Sequence, residues 1–373
     1  MRTQKFAAVI VFALLLGACA SGRFGPKDSN KVPDGPRTLK ELSVRERAAL
    51  LSRASVWQAV DTASLDLKAG PPLPANMRIG EDVSCEFVFP KKALTGNTPK
   101  FNCEVRPDDV VKVKYGPKNG EVFAEVAASR LFWALGFRAD RMYPAKVTCR
   151  ECPADPFAAS KSDWKRGKPD NLGTHVFDPA AIERDLPGTA IEVKDFEGWA
   201  WPELDKIDTR GAGATRAQVD ALKLLAVFIQ HSDTKPEQQE IICPPGSTKK
   251  DARGNETCGN PLLVIKDLGT TFGKATVRNN SKMDLSDWDG SKVWKDADRC
   301  IGDLPRSFTG SLENPRISEA GRKFLSDRLA MLSDAQLRDL FTAAQVARRG
   351  DTVDEWVRVF KRKRDEIAQA RCN

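Results

Sequence analysis

The octapeptide HSDTKPEQ at residues 231–238 gathers a carboxylate, an ammonium and an amide in one short polar stretch, at Asp233, Lys235 and Gln238. A second acidic centre, Asp267, follows the apolar run LLVI and opens an Asp-Leu-Gly. These residue types in this order suit phosphoryl transfer. That reaction leaves a protein little covalent chemistry to do, so it depends on placed charge and a held metal. Asp233 is suited to orient or deprotonate an acceptor hydroxyl, and Lys235 to neutralise charge developing on the transferred group. Asp267 suits a Mg or Mn ion that bridges nucleotide phosphates. Asp-Thr-Lys-Pro on its own is ordinary turn chemistry. The later Asp267 is what turns it into a constellation.

The flanking sequence supplies elements that can hold these groups. A capping box at Thr215 and Gln218 opens a helix running to about residue 230. Leu222, Leu224, Leu225, Val227 and Phe228 cover much of its circumference, which predicts burial and a rigid lead into the polar loop. Residues 239–243 and 262–266 read as strands on either side of a Gly-containing loop. Upstream, residues 85–89, 101–105 and 110–115 read as short strands. In the third, VVKVKYG, period-2 alternation puts Lys112 and Lys114 on one face. A helix follows over residues 121–137, with Glu121, Glu125 and Ser129 on one stripe and Gly136 as its stop.

Other segments say less. Residues 39–60 carry helical spacing, and GPPLP at 70–74 reads as a joint. Residues 150–195 show no clear period beyond a possible strand at 189–193, and His175 reads as a structural or surface residue. Trp199 and Trp201 read as core. Capping boxes at Ser333/Gln336 and Thr352/Glu355 open two C-terminal helices. The second of these is read as ending in the basic run 361–364, a solvated face.

The loop HSDTKPEQ resembles the catalytic loop of protein kinases, His-Arg-Asp-Leu-Lys-Pro-Glu-Asn, and Asp267-Leu268-Gly269 resembles their Asp-Phe-Gly. The helix with Glu125 ahead of Leu135-Gly136 is similar to that of HipA-type kinases. The resemblance covers roughly residues 83–273. It implies that Lys114, with Lys112 as second choice, holds ATP phosphates, and that Glu125 pairs with that lysine. It departs from the family in two places. Gln238 stands where the family has its second metal ligand, Asn, which implies Gln238 as a further ligand here, and the turn at residues 91–100 has one Gly in place of a Gly-rich loop, so any phosphate cover is built differently.

The chain's start points to export. Arg2 and Lys5 precede an apolar run at residues 6–16 and then Leu16-Gly17-Ala18-Cys19. This resembles a bacterial lipobox, in which Cys19 is acylated by palmitate-like chains and becomes the mature N-terminus. Several acyl chains on one residue make a stable membrane anchor. Ala20 at the next position implies the outer membrane, on its periplasmic or surface face. Nine Cys minus Cys19 leaves an even eight, which favours disulfides in an oxidising compartment. Cys85 with Cys103 and Cys243 with Cys258 each flank a local loop. Cys149 and Cys152 suit a small bridge or half a metal site, and Cys300 with Cys372 remains by elimination.

A chain of 373 residues with a net charge of +8 suits one two-lobed enzyme or two domains. Aromatic residues do not interleave with the basic ones, so specific nucleic-acid binding is not expected. The expected architecture is α+β: a two-lobed, protein-kinase-like fold with a C-terminal helical extension. Its parts are a signal peptide (1–18), a lipidated tether and N-terminal helix (19–74), a small lobe with an insertion (75–196) and a mainly helical large lobe (197–373). The expected function is an exported, lipid-anchored kinase that transfers the ATP γ-phosphate to a hydroxyl. The competing reading is an inactive pseudokinase, a binding lipoprotein of the cell envelope.

Overall fold

The computed structural model describes residues 36–73, 80, 82–194, 196–273, 282–307 and 310–372. The signal peptide, Cys19 and most of the tether lie outside the described residues, as do Pro74 of the joint and residues 274–281.

The architecture is mixed α+β. Helix α1 (Val44–Ser52) is opened by a capping box between Ser43 and Glu46. Strands β1 (Asp82–Val88), β2 (Lys100–Arg106) and β3 (Asp109–Tyr115) form consecutive antiparallel pairs. Helix α2 (Gly120–Leu135) follows and ends at Gly136, whose φ of 84° is a left-handed stop that a side chain would strain. Then come β4 (Arg141–Cys152), the short α3 (Pro156–Ser160) and β5 (Gly173–Arg184). A parallel pairing of β1 with β4 closes the five strands into a barrel, in the order β1-β2-β3-β5-β4. Alternate residues face inward, among them Val83, Cys85, Phe87, Phe101, Val113 and Ile182. The Cys85–Cys103 and Cys149–Cys152 disulfides lie within that core, so Cys149 and Cys152 form a bridge and not half of a metal site.

Strand β6 (Thr189–Ala190) and helix α4 (Arg216–Phe228) precede β7 (Gln239–Cys243). A hairpin of β8 (Thr248–Lys250) and β9 (Glu256–Cys258) fills the next loop, which the Cys243–Cys258 bridge closes before β10 (Leu262–Ile265). The three-stranded order is β10-β7-β6. The rest comprises α5 (Leu285–Gly290), a β11 (Trp294–Asp296) and β12 (Ile301–Gly302) pair, and helices α6 (Glu319–Ala330), α7 (Asp334–Ala343) and α8 (Val353–Gln369). Cys300–Cys372 ties the chain end back to this helical body.

Several expectations need correction. The helix expected over residues 39–60 is only nine residues long, because Ser55 and Trp57 are drawn into β-bridges with Leu262 and Phe137. Residues 36–73 do not stand apart: Leu39, Leu51, Ala54 and Leu67 share one core with α2 and α4, and Arg47 forms a buried ion pair with Glu203 at 2.9 Å. Strands β4 and β5, each twelve residues long, are not among the strands expected from the sequence. Both carry register shifts and a proline that break period-2 alternation. Helix α8 does not end at residue 364. Within its basic run Lys363 is buried, donating to the Ser291 carbonyl at 2.6 Å and lying over the Trp288 ring.

Candidate active site

Lys114 reaches the site because β3 alternates. Val111 and Val113 fill the barrel while Lys114 points the other way, toward α2, and is 1% exposed. Asn119 caps α2 by accepting from the Glu121 N–H at 3.1 Å, which sets the helix start and places Glu121 and Glu125 one turn apart on the face toward the lysine. The Lys114 Nζ lies 2.5 Å from Glu125 Oε1, 3.3 Å from Glu121 Oε2, 3.6 Å from Asp267 Oδ1 and 4.0 Å from Glu183 Oε2. Lys112 is engaged differently: it pairs with Glu183 across the β3–β5 ladder.

Asp267 leaves the end of β10, and the Gly269 N–H donates to its Oδ1 at 2.9 Å. The backbone here runs hard against α2. A Cβ on Gly269 would sit 2.6 Å from Glu121 Cγ and 3.0 Å from Glu125 Oε1, so only glycine allows this approach.

Burial penalises every charge in the cluster, and the ion pairs decide which survive. Burial works against the Lys114 ammonium, yet the carboxylates of Asp267, Glu125 and Glu121 hold its pKa well above the usual lysine value. Burial likewise opposes Asp267, but Lys114 and the Gly269 N–H keep it well below the usual carboxylate range. Glu125 goes the other way. Its own burial, with Asp267 negative beside it, outweighs the pull of Lys114 and raises it well above the usual value. The cluster therefore holds an ionised Asp267 beside a readily protonated Glu125.

Glu121, Glu125 and Asp267 offer carboxylate oxygens within 4.8 Å of one another, a spacing compatible with a metal. The Lys114 ammonium already lies within 3.6 Å of an oxygen of each, so the space they share is the lysine's. A metal suits Asp267 instead, whose side chain is 26% exposed and ionised.

The second half of the site is the loop at residues 231–238. It is laid along the Asp267 segment by backbone bonds: Lys266 N–H to Gln238 O at 2.8 Å, Ser232 N–H to Thr270 O at 3.3 Å, and Phe272 N–H to Ile229 O at 2.6 Å. Asp233 Oδ2 accepts from Lys235 Nζ at 3.3 Å and from Gln238 Nε2 at 3.1 Å. His231 is fully buried beside Trp201, and burial lowers its pKa, which keeps it neutral. The loop is not a solvated turn. Thr234 is buried, and its Oγ1 accepts from the Ser311 and Leu312 N–H groups at 3.0 and 3.1 Å, while Ser307 Oγ donates to Ser232 O at 2.6 Å.

Both halves face one cleft of about 870 Å³, whose walls include Thr98, Lys112, Asp233, Lys235, Gln238 and Asp267. An ionised Asp267 beside the buried Lys114 ammonium, opposite an Asp–Lys pair, is a charge pattern that suits a metal-bound polyanion.

Some participants were missed in the sequence. The resemblance fits Glu125 better than Glu121, yet the i,i−4 position puts both on one face and both contact Lys114. Glu183 lies on β5, whose broken alternation leaves it without a local signal. Lys282, which pairs with Glu121, and the Ser307–Leu312 contacts carry no local signal.

No protein-family model and no curated protein sequence matches this chain. Among solved structures, the crystal structure of a Helicobacter pylori proinflammatory kinase, CtkA, is similar over 74% of this chain and 96% of that one, at 12% sequence identity. The TM-score is 0.33, too low to establish a shared fold.

Proposed function

We propose that this chain is an exported, lipid-anchored phosphotransferase with a two-lobed, protein-kinase-like fold, the barrel and α2 serving as the small lobe. The observation that carries this reading is the contact of Lys114 with Glu125, at 2.5 Å, beside an ionised Asp267 in the cleft that Asp233, Lys235 and Gln238 also line. Asp267, with Gln238 beside it, would hold a Mg or Mn ion, and such an ion would neutralise charge on the nucleotide phosphates. Lys114 contacts phosphate oxygens and is itself oriented by Glu125. Asp233 takes the proton of the acceptor hydroxyl as the new oxygen–phosphorus bond forms, and the bond to the β-phosphate oxygen breaks to release ADP. Lys235 offsets charge on the transferred group. The acceptor is defined only as a hydroxyl.

A thermal-shift titration with ATP and Mn tests the reading. Binding to the native state alone stabilises by about 2.7 kcal/mol at a hundredfold excess over Kd, which raises the melting temperature by several degrees. A melting temperature that does not move with nucleotide sinks the proposal.

One observation favours the inactive alternative. The Gln238 amide donates to Asp233, tying the intended metal ligand to the intended base. In that reading the chain is a catalytically inactive binding lipoprotein of the cell envelope.

The anchoring half of the proposal rests on the lipobox-like Leu16–Cys19 sequence and on the disulfides, which suit an oxidising compartment. No helix among the described residues is long and apolar enough to cross a membrane. Cys19→Ser is expected to remove lipid attachment and move the protein from the membrane pellet to the soluble fraction. If the variant still pellets and resists high salt, acylation at Cys19 is not the anchor.

A further inference from the structure

The turn between β1 and β2 lacks a glycine-rich sequence, yet its residues 94–98 line the cleft beside Lys100 and Lys112. A loop of this length with ordinary residues must be ordered before it can grip a ligand, and ordering it on binding would cost affinity. Here it is held from outside by the segment between β4 and β5. The Leu94 N–H donates to the Ser160 carbonyl at 2.9 Å, and Trp164 Nε1 donates to the Pro90 carbonyl at 2.8 Å. Lys161 Nζ donates to the Gly96 carbonyl and, at 2.8 Å, to Asn97 Oδ1. The holding segment is itself fixed. Asp155 caps α3 by accepting from the Ala158 N–H at 2.9 Å, and Lys161 lies over the Phe157 ring. From inside the cleft Thr98 Oγ1 donates to Glu121 Oε1 at 2.5 Å, joining the turn to the cluster around Lys114.

The Lys161 contact has a directional consequence. In a planar trans peptide the carbonyl and the following N–H point opposite ways. With its carbonyl drawn to Lys161, the Gly96–Asn97 peptide turns the Asn97 N–H away from Lys161. No hydrogen bond from that N–H to another described residue accompanies this arrangement.

We infer that residues 155–166 are a brace that preorganises the β1–β2 turn as a phosphate cover, with Lys161 as the positioning residue that aims the Asn97 N–H at a phosphate oxygen. This rests on the kinase reading above. It replaces the conformational freedom of a glycine-rich loop with fixed hydrogen bonds from an inserted segment.

The test uses full-length protein, ATP and Mn, with the variants Lys161→Ala, Lys161→Arg and Trp164→Phe. Lys161→Ala should weaken ATP binding about tenfold, the size expected when one or two positioning hydrogen bonds are lost. Lys161→Arg, which can still donate to both oxygens, should recover most of it. Trp164→Phe removes an anchor without changing charge and should weaken binding in the same direction by a few-fold. Amide exchange at residues 94–98 in nucleotide-free protein should rise in the Lys161→Ala and Trp164→Phe variants and not in Lys161→Arg. Exchange that does not rise overturns the brace whether or not nucleotide binds. A Lys161→Ala protein that binds ATP as the wild type does, or an arginine variant no better than alanine, overturns the positioning role alone. A wild type that binds no nucleotide overturns the kinase reading and the inference together.

Discussion

Asp267→Ala should abolish metal-dependent ATP binding, while Asp233→Asn should leave binding near the wild-type level and remove turnover. The two carboxylates sit in different surroundings, which is why their losses separate. Asp267 is held ionised by Lys114 and the Gly269 N–H and opens onto the cleft, so it is equipped to link protein to metal to phosphate. Asp233 lies with Lys235 and Gln238 on the loop at residues 231–238, where an acceptor hydroxyl would approach. Asparagine keeps its shape and removes its basicity. Loss of a positioned general base costs roughly 10²–10⁴-fold in rate, and binding energy is carried by other groups. Calorimetric titration with ATP and Mn, beside a single-turnover assay, reads the two effects separately. If both variants bind nucleotide and metal as the wild type does, Asp267 is not the metal anchor and the assignment fails at its centre.

Lys114→Met should destabilise the protein severely and extend to the other crowded carboxylates the loss of stability with rising pH that the raised Glu125 already contributes. The ammonium is the buried cation within 4 Å of Glu121, Glu125, Glu183 and Asp267. Breaking a buried ion pair by removing one partner costs about 3–5 kcal/mol, because the other charge is left uncompensated. In the wild type the depressed pKa of Asp267 contributes stability above its unfolded value near ~3.9, and that stability is lost as pH falls. Without the lysine the crowded carboxylates titrate above their unfolded values. Their folded state then binds more protons than the unfolded one, and stability falls as pH rises from about 5 to 8. Urea denaturation across that range checks the sign. A methionine variant as stable as the wild type at pH 8 would show that the cluster is not held by Lys114.

The site was legible where its determinants were local. Strand and helix periodicities put Lys114 and Glu125 among the candidates, the resemblance to kinases paired them, and Asp233 and Asp267 stand in short motifs beside apolar elements. The partners that make the cluster unusual were not. Glu183 reaches it from β5, a strand whose alternation is broken, and Lys282 reaches it from a segment with no pattern of its own.

The sequence alone determined the elements whose rules close within a few residues. Ser333 with Gln336 and Thr352 with Glu355 cap α7 and α8 because a capping box needs only its own first turn. The first three strands and the apolar α4 follow in the same way from side-chain period. The even number of cysteines left after Cys19 foretold bridges, and loop proximity pointed to Cys85–Cys103 and Cys243–Cys258. Tertiary structure decided the rest. Only the parallel β1–β4 pairing closes the barrel, and a parallel neighbour leaves no hairpin signal in the chain. Only packing turns Lys363 from an expected surface charge into a buried donor to Ser291. Thr234 reads as a turn residue, yet Ser311 and Leu312 hold its hydroxyl from a distant stretch. In each case the deciding partner is remote in sequence, and a buried polar group must find that partner or pay its desolvation.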